Sequence, residues 1–129
     1  MHASASAPDP ALAALLGWLR ECQRGIRELE DKAYRALYDH KDETAYRALM
    51  RERAEAIARL DENGAKLAAA VPGEPGEHAG AQLRTFAGGA RNALRIGSIF
   101  YMSALLYPDE HKQGEPDNLE RLISELSGG

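Results

Sequence analysis

The stretch RIGSIFYMSALLYP, residues 95–108, decides how this chain has to fold. From Ile96 to Tyr107 it carries no charged side chain, although the sequence around it is rich in Arg and Glu. Wound as a helix, it has one apolar seam through Leu94, Gly97, Tyr101 and Ala104. A second stripe runs through Ile96, Ile99, Phe100, Ser103, Leu106 and Tyr107. A helix apolar on two sides must be covered twice. The run is far shorter than the roughly 20 apolar residues that cross a bilayer, so the cover is expected to be protein and not lipid.

Upstream, the same seam continues through Leu83, Ala87 and Ala90, which predicts a helix from about Ala79 that ends before Pro108. Gly88, Gly89, Ala90, Ala93, Gly97 and Ala104 make it rich in small residues. Each glycine costs a helix about 1 kcal/mol relative to alanine, a cost tolerated where backbones approach closely. This helix is therefore expected at the centre of the fold, with a kink near Gly88 and Gly89 as the alternative. Before it, Leu12, Leu15, Leu19, Cys22, Ile26, Leu29, Ala33 and Ala36 recur at spacings of three and four, which predicts a helix over 10–39 opened by Pro10. After YDHKDET, where Asp42 or Thr44 can cap, Tyr46, Met50, Arg53, Ile57, Leu60, Gly64, Leu67 and Val71 keep the rhythm up to VPGEPGEHAG. Arg53 and Gly64 are the weak points of that seam. Downstream, Pro116 and Asp117 open a short helix bearing Leu119, Leu122, Ile123 and Leu126. No β pattern occurs.

The expected fold class is all-α, an antiparallel up-down-up bundle of three long helices plus a short C-terminal helix. Residues 1–9 form a flexible N-terminal tail and residues 10–129 a single helical-bundle domain. Each long helix has about 30 residues and spans roughly 45 Å. In this register Trp18 and Phe86 lie near one end, whereas Tyr34, Tyr38, Tyr46, Tyr101 and Tyr107 gather towards the other. The short helix, roughly 15 Å long, fits the second stripe of about 18 Å. It covers that stripe either within its own chain or exchanged between subunits.

A chain of 129 residues with 44% apolar and 28% charged residues has the composition of one globular domain. Its net charge of −4 disfavours nucleic acid and anionic membrane, both of which attract basic surfaces. MHASASAPDPALAALLGWLR has no basic residue ahead of its apolar stretch and is interrupted by Asp9 and Pro10, so it reads poorly as a signal peptide. Cys22, the only cysteine, has no partner for an internal disulfide. A cytoplasmic protein is the simplest expectation, and the richness in Ala and Arg points to a bacterial source.

Patterns that carry chemistry are sparse. Arg84, Arg91 and Arg95 share one stripe and can pair with acidic residues of the preceding helix or of the tail, or anchor an acidic partner or phosphate. His40 beside Asp39, Asp42 and Glu43, and His111 beside Asp109 and Glu110, fall at the same end of the expected bundle, but the Glu plus Glu-x-x-His pattern of bundle metal sites is absent. RALYDH gives Arg35 and His40 an R-x4-H spacing that resembles HEPN domains, helical bundles that include ribonucleases. The resemblance implies RNA binding or cleavage through those two residues. Glu28 and Asp31, with Glu52 and Glu55, superficially resemble the acidic helices of all-helical nucleotide pyrophosphohydrolases. They come in the wrong order, off the seams and among arginines, and read as surface ion pairs. LRTFAGGARN resembles the phosphorylated helix of histidine phosphotransfer domains but lacks the acceptor histidine.

The reading that follows is a non-enzymatic helical-bundle protein of adaptor, scaffold or chaperone type, with no cofactor and no metal site. It associates with itself as a homodimer or with a protein partner. The expected contact surface is Ile96, Ile99, Phe100, Leu106 and Tyr107, with Leu119, Leu122, Ile123 and Leu126 as cover or exchanged arm. The tyrosine-rich end is the second choice, because tyrosine rings bury area while their hydroxyls stay paired.

Overall fold

A computed structural model describes residues 9–128. The flexible tail expected over 1–9 lies outside the described residues apart from Asp9, whose carboxylate accepts from the Ala11 amide at 2.8 Å and caps the first helix. All regular structure among the described residues is helical: α1 Pro10–Tyr38, α2 Glu43–Ala58, α3 Leu60–Ala70, α4 Glu74–Ile96, α5 Ile99–Ala104 and α6 Asn118–Leu126. α1 has the expected extent and seam, with Leu15, Leu19, Ile26, Ala33 and Ala36 buried. Leu12, Cys22 and Leu29 are half-buried on the same side.

The second predicted helix is divided at Arg59. Asp42 caps α2 by accepting from the Ala45 amide at 3.0 Å, and the seam of Met50, Arg53, Ile57, Leu60, Gly64 and Val71 stays buried across the break. Two packing demands account for the division. A Cβ on Gly64 would sit 2.7 Å from both Leu83 and the Trp18 ring, so α3 lies in close contact with α1 and α4. The interruption frees the Ala58 carbonyl, which Arg91 of α4 recovers at 3.0 Å while forking onto the Asp61 carboxylate. That fork holds the Asp61 carboxyl below its usual range.

α4 begins five residues before the expected Ala79. Pro75 suits a first helical turn, and Glu74 and Glu77 there complement the helix dipole. The helix runs unbroken past Gly88 and Gly89 and stops at Gly97, whose φ of +75° is left-handed and costs glycine least. Ser98 then caps α5 by accepting from the Tyr101 amide at 3.1 Å. The predicted seam therefore holds for Leu83, Ala87 and Ala90 but is lost at Gly97, Tyr101 and Ala104, which are exposed. Met102 enters the core instead.

Beyond α5, Leu106 turns through φ +74°, and its carbonyl accepts from the Asn118 amide at 2.8 Å. α6 opens with a capping box in which Asp117 and Glu120 satisfy each other's amides. Leu119, Leu122 and Leu126 are buried where α6 meets α1 and α4. The short helix thus shares a core with Leu106 of the second stripe, in cis, and leaves Ile96 and Phe100 exposed.

Candidate functional site

The nine residues read as the contact surface separate into three groups. Leu106, Leu119, Leu122 and Leu126 belong to the main core. Ile99, Tyr107 and Ile123 are half-buried. Ile96 is 51% and Phe100 74% exposed, and Tyr101 beside them is 51% exposed. These exposed residues follow from the Gly97 turn, which rotates α5 so that Met102 faces inward and Phe100 outward.

The tyrosine-rich end adjoins this patch. The Tyr34 ring lies 6.0 Å from Tyr38 and 6.1 Å from Tyr46, and Tyr46 lies beside Ser103 of α5. Ser103 in turn donates to the Phe100 carbonyl at 2.8 Å. The Phe100 and Tyr101 rings are 5.7 Å apart. Tyr38 is 64% exposed at the far side. Tyr34, Tyr38 and Tyr46 on α1 and α2 form one group of rings and Phe100 and Tyr101 on α5 a second, and the two groups, neighbours across Ser103, make up an aromatic ridge. Beside the ridge a groove of about 650 Å³ runs between α4 and the returning chain, with Phe86, Gly89, Ala93, Ile96, Tyr101 and Leu105 among its lining.

Beneath the ridge is a polar cluster. Arg53 is 1% exposed, and its guanidinium donates to the carbonyls of Met102 at 3.0 Å and Leu105 at 2.9 Å. Both carbonyls stand at the C-terminal end of α5, where that of Met102 also accepts from the Leu105 amide at 3.4 Å, so the arginine caps that helix from inside the fold. Its Nη2 lies 3.8 Å from Glu30, which is also buried. Tyr107 donates its hydroxyl to the Glu30 carboxylate at 2.6–2.7 Å, and the guanidinium sits 5.7 Å from the Tyr107 ring centre. Arg27 approaches the same carboxylate at 3.7 Å from the solvent side. Burial, then the hydrogen bond to Glu30, pushes the Tyr107 phenol far above its ordinary value, so it stays protonated. The Arg53 Nε is buried without a partner. Arginine, carboxylate and phenol are engaged with one another and with backbone, which makes the cluster a latch that fixes residues 99–107. The sequence signalled half of it, since Arg53 stands on the predicted seam. Glu30, one position beyond Leu29, gave no signal.

The other chemistry-bearing residues are dispersed. Arg35 and His40 are both exposed where α1 ends, with both following amides, of Asp39 and His40, bonded to the Arg35 carbonyl. His111 packs its ring 4.7 Å from Tyr107 and donates Nε2–H to the Glu115 carbonyl at 2.7 Å. Arg95 is bonded to Asn92 of its own helix. Glu28, Asp31, Glu52 and Glu55 are exposed. Among the described residues, no group of three or more His, Cys, Asp or Glu side chains is placed to hold a metal ion, and no helix is long and apolar enough to cross a membrane.

Comparison of the chain with protein-family models, with curated proteins and with solved structures finds no match in any of the three.

Proposed function

We propose that this protein acts without catalysis, by associating through its aromatic ridge with itself or with a protein partner, as an adaptor, scaffold or chaperone does. The observation that carries the reading is Phe100, 74% exposed at the centre of a ridge whose neighbours Ile96 and Tyr101 are half exposed. Contiguous apolar patches on a soluble surface mark contacts, and aromatic rings are the favoured anchors of such contacts. The engagement of Arg53, Glu30 and Tyr107 with one another supports a structural and not a reactive role for the one buried polar cluster found among the described residues. We read the chain as an up-down-up bundle of three rods, α1, α2 with α3, and α4 with α5, closed by α6. The contacts of α1 with α2 and of α3 with α4 support this arrangement. The single cysteine, which can form no internal disulfide, supports a cytoplasmic setting.

Light scattering behind size exclusion, over micromolar concentrations, tests the reading. The mass is expected to rise with concentration or with an added partner, and Phe100→Ala to abolish the rise while shifting stability by less than about 1 kcal/mol, as for an exposed side chain. A loss of 3 kcal/mol or so would identify Phe100 as core and overturn the reading.

A further inference from the structure

The ridge and the groove beside it have the form of a knob and a socket on one face. Phe100 projects from α5 with its ring 5.7 Å from Tyr101, and Tyr101, with Ile96, forms a wall of the groove. Gly89, Ala93 and Ala104 are the small residues of its lining. A Cβ added at Gly89 would meet nothing nearer than Leu105, at 3.7 Å, and Ala93 lies one helical turn further along. The space of about 650 Å³ exceeds what a phenyl ring needs.

We propose that the chain pairs with a second copy of itself by reciprocal insertion of Phe100 into this groove, an inference that rests on the association reading above. A patch that carries both knob and socket is complementary to itself under a two-fold axis, and such a contact closes after two copies. The charges agree with this occupant. Arg95, next to the Gly97 turn, places its guanidinium on the groove residue Asn92. Asp109 lines the groove beyond Leu106, on the chain returning along α4, where Leu105 lies near Gly89. Asp109 is the one charged residue in the lining. A copy laid antiparallel across the groove brings each Arg95 towards the second copy's Asp109, a pairing made twice by symmetry.

Two variants test the insertion. Phe100→Ala removes the knob. Gly89→Leu fills the socket while replacing a glycine inside a helix, so its melting temperature is expected at or above that of the parent chain. Each is expected to weaken the dimer by about tenfold or more, the size typical of a buried aromatic anchor. An equimolar mixture is expected to associate more tightly than either variant alone, since the Gly89→Leu copy still offers Phe100 and the Phe100→Ala copy still offers an open groove. A parent dimer that neither variant weakens, or a mixture no tighter than its parts, overturns the insertion and leaves association standing. A parent chain that stays monomeric at every concentration overturns pairing with a second copy and directs the ridge to a different protein.

Discussion

Replacing Arg53 by Met tests whether the buried cluster is the latch that its geometry describes. The change keeps length and apolar stem but removes the donors to the Met102 and Leu105 carbonyls and the cation 3.8 Å from Glu30. A hydrogen bond to a charged group contributes about 1.5–3 kcal/mol, and removing one member of a buried ion pair costs about 3–5 kcal/mol. The two figures overlap, since Glu30 keeps the Tyr107 hydroxyl and Arg27 at 3.7 Å. The expected loss is therefore about 3–5 kcal/mol in all. A domain of this size has about 5–15 kcal/mol of stability, so the variant is expected to remain folded with a sharply lower urea midpoint by circular dichroism. Adding Glu30→Gln removes the charge left without its partner and keeps an acceptor for Tyr107. The double variant is expected to recover at least about 1 kcal/mol relative to Arg53→Met. A single variant that loses less than about 1 kcal/mol, or a double variant equal to the sum of the two singles, refutes the latch.

Three further outcomes are expected. Gly64→Ala places a Cβ 2.7 Å from Leu83 and Trp18, so it should lose about 1–3 kcal/mol to overpacking despite better helix propensity, with a shifted emission of the lone tryptophan; unchanged emission and stability refute the close approach. Asp117 is buried, and its carboxyl is raised above the ordinary 3.8, chiefly by desolvation. The native state therefore holds this proton more tightly than the unfolded chain, and the group's contribution to stability falls as pH rises from about 3.8 through the folded value. Asp117→Asn, which keeps an N-cap of similar strength, should be more stable than the parent at pH 7 and should flatten the acid end of the stability profile. Lower stability at pH 7 counts against desolvation as the dominant cause. RNA incubated with the purified chain should remain intact, and cleavage that disappears on changing Arg35 or His40 would replace the association reading with the ribonuclease one.

What was legible in the sequence followed from local periodicity. The α1 seam from Leu15 to Ala36 and the positions Met50, Arg53 and Ile57 of α2 are set by which side of a helix is apolar. The break at Arg59 was not legible, because no proline or glycine marks it. It depends on Arg91 and Asp61, 30 residues apart, and on the approach at Gly64. The break at Gly97 had a signal, since glycine followed by serine is a helix stop followed by a cap. The continuing apolar rhythm concealed it, and the same residues serve two helices that face different ways. Glu30 was hidden for a different reason. A carboxylate is accommodated in a core only by its partners, and its hydroxyl donor is 77 residues away. The groove likewise exists only because Leu105 returns to Gly89.

The latch and the ridge are mechanically one device. α5 has six residues, too few for a helix to persist in water through its own hydrogen bonds. It is held at its start by the Ser98 cap, in the middle by the buried Met102, and at its end by the two carbonyls on Arg53. Phe100 is displayed by the same turn that these contacts immobilise. A rigid anchor forfeits less rotational freedom on binding than a frayed one, so association should respond to Arg53 even though the residue is inaccessible to any partner. Arg53→Lys separates this effect from simple unfolding. An ammonium keeps the charge near Glu30 but lacks the planar fork that reaches two carbonyls at once. With the bundle still folded, its association is expected to weaken. Association unchanged in a folded Arg53→Lys chain would mean that the ridge is presented by packing alone.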